Sequence, residues 1–146
     1  MPVRYKIVKD LQLLYTVFSG RVDKTDAFNF AREICSSPAL TDVRKSLIFL
    51  KESQLIYTVS DVEDFGREIV YNKKFSAREK MAIIISNPND TVAATIFAHT
   101  IRNNCKDVAI ELFCTIDAAL SFLDLTGQKE KIDELINEYS SILDDE

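Results

Sequence analysis

The chain is poor in the residues from which most catalytic and cofactor motifs are built. Its 146 residues include three glycines, three prolines, one histidine and no tryptophan. Gly20, Gly66 and Gly127 stand singly, so no glycine-rich loop of the Walker or dinucleotide kind cradles a phosphate. One histidine cannot complete a Cys/His zinc set, and Cys35, Cys105 and Cys114 form no CxxC pair. These three thiols, odd in number and widely spaced, read as reduced and partly buried. Cys114, at a strand end beside Thr115, is the one to test for reactivity. No apolar run approaches the ~18 residues of a membrane span. Basic excess is missing too: the net charge is −5 and the pI about 5.0, which argues against nucleic acid or an anionic membrane as partner. The chain opens with no h-region or cleavage site, and the expected location is cytoplasmic.

What is present is an ordinary globular composition, 47% hydrophobic and 28% charged. The length suits a single domain spanning residues 1–146. The pattern is organised around residues 80–101. Met81-Ala82-Ile83-Ile84-Ile85 has no polar alternation, as a strand covered on both faces requires. Asn87-Pro88-Asn89-Asp90 stops it, and Asp90 is the expected N-cap of a helix whose inner face carries Ala93, Ile96, Phe97, Thr100 and Ile101.

Similar units flank this one. Residues 4–8 and 11–18 read as an antiparallel hairpin turning at Lys9-Asp10, the second strand ending at Gly20. Asp23 opens a helix with Ala27, Phe30, Ala31 and Ile34 inward. Residues 47–50 form a third strand. Residues 51–59 then read as a loop, longer than the usual ~2–6 residues and therefore a functional candidate. Ser60 and Glu63 are spaced as a capping box for a helix burying Val62, Phe65, Ile69 and the stem of Lys73. Residues 107–113 alternate around Glu111, as an edge strand does. Thr115 caps the next helix and Gly127 closes it. A last helix, 128–143, carries the stripe Ile132, Leu135, Ile136, Tyr139, Ile142 and Leu143. It either covers its own sheet or takes part in a homodimer. The order predicts an α/β fold with one mixed five-stranded sheet, antiparallel at its first strand and parallel thereafter.

With these elements placed, the sequence resembles the STAS-like family, the fold of bacterial anti-sigma-factor antagonists and sulfate-transporter cytoplasmic domains, and above all its small stand-alone members. The hairpin ending Val17-Phe18-Ser19-Gly20, the run 47–50, Val108-Ala109-Ile110-Glu111-Leu112-Phe113, then Thr115, Asp117-Ala118-Ala119-Leu120 and Phe122-Leu123 carry the likeness. It covers nearly all of residues 3–125 in element order. The resemblance implies a non-enzymatic regulatory or protein-interaction module. Antagonists of that family carry a phosphorylatable Ser in an Asp-Ser-Ser-Gly type motif at the start of the second helix. Here the region reads Thr58-Val59-Ser60-Asp61-Val62, with Ser60 the one Ser and the motif absent.

No nucleophile-base-acid set can be assembled, and no metal or cofactor is implied. His99 reads first as a structural or surface side chain, with general base as the alternative. Two classes of function remain open. One is an interaction module in which Ser60, Asp61 and the preceding loop meet a protein partner. The other is a small-ligand or lipid carrier, or an enzyme, with a pocket among Leu55, Ile56, Tyr57, Asn87, Asn89 and Cys114. These positions follow strand ends, where open α/β sheets bind ligands.

Overall fold

A computed structural model describes residues 2–73, 75 and 79–144, with side chains through residue 138. The strands are β1 (Val3–Val8), β2 (Leu13–Val22), β3 (Lys45–Leu55), β4 (Lys80–Ile85) and β5 (Ala109–Phe113). They form one sheet in sequential order. β1 is antiparallel to β2, and the remaining pairs are parallel. The expected mixed α/β sheet is therefore observed, with β5 at an edge. The helices among the described residues are α1 (Lys24–Cys35), α2 (Val59–Asn72), α3 (Thr91–Asn104), α4 (Ile116–Phe122) and α5 (Lys129–Asp144).

Sequential strand order makes each crossover step the same way, so equal handedness puts α1, α2 and α3 on one face. Ala31, Ile69 and Phe97 from these helices pack with Phe18, Leu50 and Ile83 of the sheet. The opposite face buries Tyr15, Leu47, Ala82 and Ile84 beneath Leu120 and Leu123 of α4 and Ile132 and Leu135 of α5. The unalternating runs in β3 and β4 thus lie mid-sheet under two layers. Of the two surfaces open to the last helix, its own sheet is the one it covers. Lys131 adds an ion pair to Asp10 at 3.3 Å. The side chains of Tyr139, Ile142 and Leu143 lie outside the described residues. Gly66 brings α2 close to α3, since a Cβ there would stand 2.8 Å from Thr100 Cγ2.

Several boundaries differ from the sequence reading. The hairpin turn is longer, a 3-10 turn at Lys9–Leu11 followed by Gln12 at φ 52°. Gln12 O accepts from the amides of Arg44 and Lys45, which fixes where β3 starts. Gly20 does not end β2. It sits at φ 66° in a bulge, with Ser19 paired to Lys51 and Gly20 to Ser53. Glu52, at φ 49°, is the extra residue. Pairing resumes beyond it through Val22 and Leu55. The expected loop 51–59 is consequently mostly strand, and only residues 56–58 connect β3 to α2.

Helix ends differ as well. The capping box of α2 is Thr58 with Asp61, not Ser60 with Glu63: Asp61 N donates to Thr58 Oγ1 at 3.1 Å, and Thr58 N to Asp61 Oδ2 at 3.0 Å. Asp90 stands at the N-cap of α3 without capping it; its carboxylate accepts from Ser53 Oγ at 2.5 Å instead. α4 ends at Phe122 with Asp124 at φ 59°, before Gly127 is reached. β5 begins at Ala109 rather than Asp107.

Candidate functional site

The seat of α1 and α2 on the sheet leaves a cavity of about 120 Å³. Its floor is the helix-facing side of β2, β3 and β4, where Leu14, Thr16, Phe18, Ser46, Ile48, Leu50, Met81 and Ile83 stand. Its walls are Ala27, Phe28, Phe30 and Ile34 of α1 and Val62, Phe65 and Ile69 of α2. The surface so enclosed is almost entirely carbon. An apolar space of this size resembles cavities of ~150 Å³ that admit benzene or xenon.

The cavity reaches the surface at the carboxyl ends of β2 and β3, beside the N-termini of α1 and α2. Exposed Lys24 and Ile56 and half-buried Tyr57 and Asp61 stand there. Lys24 Nζ lies 3.5 Å from Asp61 Oδ1, linking one helix start to the other across this opening. It also lies 5.7 Å from the centre of the Phe28 ring. The Asp61 carboxyl titrates below its ordinary value, chiefly because the Thr58 amide donates to it, with the Lys24 ammonium adding to the effect.

Two hydroxyls interrupt the apolar floor. Thr16 is 1% exposed and Ser46 3% exposed. Thr16 Oγ1 is buried without a hydrogen-bond partner among the described residues. In register, Thr16 lies between Tyr5 on the edge strand β1 and Ile48 on the central strand β3. The lining also includes Cys35, whose thiol burial pushes above its ordinary pKa.

Of the positions singled out in the sequence, Leu55, Ile56, Tyr57 and Asp61 come together at this cavity. Asn87, Asn89 and Cys114 do not line it. Asn87 is used structurally: its side chain accepts from Asn89 N at 3.1 Å and donates to Ser53 O at 3.2 Å. With the Ser53–Asp90 bond, this ties the end of β3 to the turn after β4. Cys114 is exposed just before Thr115, whose Oγ1 caps α4. Ser60 is exposed in the first turn of α2 and caps nothing. His99 is exposed on α3, with Nε2 2.9 Å from Asn103 Nδ2.

The cavity residues that the sequence does not mark as a site are Thr16, Ser46 and the inner side of α1, whose Ala27, Phe30 and Ile34 read there only as a buried face. One signal was available. Thr16 is the polar residue in the apolar run Leu13-Leu14-Tyr15-Thr16-Val17-Phe18, at a position whose strand neighbours on the same face, Leu14 and Phe18, are buried. No group of three or more His, Cys, Asp or Glu side chains is placed to hold a metal among the described residues. No described helix is long and apolar enough to cross a membrane. No protein-family model and no curated protein matches the chain.

Proposed function

We propose that the chain is a cytoplasmic, non-catalytic binding module of STAS-like type that takes one small apolar molecule between α1, α2 and the sheet. The cavity of about 120 Å³ carries this reading. Close-packed interiors leave few voids larger than a water molecule, and an apolar wall offers water few partners. Burial of a ligand's carbon surface there contributes roughly 25 cal/mol per Å². The volume suits a single ring or a short chain rather than a lipid. The hairpin-led mixed sheet supports the STAS-like assignment. The opening at the carboxyl ends of parallel strands is where α/β sheets accept ligands.

A second reading has its own observation. Ile56 and Val59, 37% and 55% exposed, flank the start of α2, and Tyr71 near its end is 88% exposed. Such side chains suit a protein partner docking on the region around Ser60 and Asp61, the surface on which the opening of the cavity lies.

The test is thermal unfolding and amide NMR of the purified protein with toluene. Binding to the folded state raises the apparent stability by about 2.7 kcal/mol at a ligand concentration of 100 times Kd. Ala27→Leu, which fills the space from α1, removes that gain. If toluene changes neither the melting temperature nor the amide shifts of β2, α1 and α2, the cavity is not a binding site.

A further inference from the structure

The floor of the cavity holds a group that packing alone does not explain. Alternation along β2 places Thr16 with Leu14 and Phe18 on the cavity face, and Leu13, Tyr15 and Val17 on the other. Its hydroxyl oxygen is buried with no partner among the described residues. A buried hydroxyl left unpaired costs about 1–3 kcal/mol. Valine has nearly the same shape, an equal preference for strands and no such cost. A local choice that lowers stability without a compensating contact marks a functional position.

We propose that Thr16 is the residue that recognises the ligand, and that the ligand is a small ring or short chain carrying one hydrogen-bonding oxygen, such as a phenol, an alcohol or a carbonyl compound. This rests on the cavity being a binding site and adds which molecules it prefers. The carbon wall accepts the body of the molecule. The Thr16 hydroxyl, able to donate and to accept, meets its oxygen. Ser46 lines the same floor from the neighbouring strand, two positions before Ile48, the register partner of Thr16. Its hydroxyl makes the site more tolerant of where that oxygen falls. A pure hydrocarbon of the same shape leaves the Thr16 hydroxyl unpaired and binds less well.

Toluene and phenol have similar shapes and differ in this oxygen. Their affinities for the full chain, for T16V and for T16S are measured by amide NMR titration. The phenol-to-toluene affinity ratio is expected to fall about three- to tenfold in T16V, the range of one net hydrogen bond, and to be kept in T16S. Unliganded T16V is expected to be at least as heat-stable as the natural chain. If T16V does not fold, T16A carries the same comparison of ratios. If both molecules bind and the ratio is the same with and without the hydroxyl, Thr16 is a packing residue and the inference is overturned while the cavity reading survives. If neither molecule binds any variant, the cavity reading falls and this inference falls with it.

Discussion

Lys73 and Glu79 are joined where α2 ends and β4 begins. Lys73 Nζ donates to both carboxylate oxygens of Glu79, at 2.5 and 2.6 Å. The two side chains are 6% and 0% exposed. The ammonium also sits 4.1 Å from the centre of the Phe75 ring. Glu79 O accepts from Ala109 N at 2.9 Å, so the same residue helps to start the β4–β5 pairing. Burial drives Lys73 below the ordinary lysine pKa, and the Glu79 carboxylate opposes that shift. Without the Glu79 carboxylate, the buried Lys73 ammonium would be stranded. E79M is therefore expected to cost about 3–5 kcal/mol, a large share of the ~5–15 kcal/mol that holds a domain together. At about 2–4 °C per kcal/mol, the melting temperature falls by roughly 6–20 °C. The double variant K73M/E79M removes both charges and recovers most of the loss, because apolar pairs of similar volume replace buried ion pairs at little cost. Urea unfolding followed by circular dichroism gives all four corners of the cycle. In E79M the pKa of folded Lys73 lies further below its unfolded value, near 10.5. Stability then rises with pH up to that value as the lysine loses its charge, so the deficit of E79M shrinks in alkali. A loss in E79M under about 1 kcal/mol, or a double loss equal to the sum of the singles, would refute the argument from burial.

Three further outcomes are expected. Thr58→Ala removes the cap of α2 and should cost about 1 kcal/mol in urea unfolding, whereas Ser60→Ala should stay within about 0.5 kcal/mol. The capped Asp61 titrates below 3.8, so its stabilisation is complete above that pH and is lost as pH falls through the lower folded value; Asp61→Asn should flatten the acid limb of the stability curve. Ile132→Ala, at a site with 0% exposure against Leu47 and Ala82, should cost about 2–5 kcal/mol in the same assay, and a change under ~1 kcal/mol would mean that α5 does not seal that face.

The α/β fold was legible in the sequence because its signals are local periodicities. The apolar runs 47–50 and 81–85 announce strands covered on both faces, and the stripe of Ile132 and Leu135 announces a helix that needs a surface. Hairpin spacing and strand-helix alternation then leave few topologies. The cavity was partly legible. Leu55, Ile56 and Tyr57 were placed at it for a loop that is mostly strand, and Asn87 and Asn89 proved to be tied into the turn after β4.

What only the tertiary structure decided depends on atoms far apart in the chain. Whether β2 stops at Gly20 depends on Lys51 and Ser53 being there to pair across a bulge, and no periodicity in either strand encodes that meeting. Thr58 and Ser60 are both competent caps; where β3 releases the chain chooses between them. Lys73 reads as a snorkelling stem until Glu79 is brought beneath it. The cavity is set by how α1 and α2 seat on three strands, and a void is a difference between summed side-chain volumes and the space the backbone encloses. Thr16 is visible in the sequence as one polar residue among apolar ones, but only the fold shows that its hydroxyl is buried, without a partner among the described residues, and beside that space.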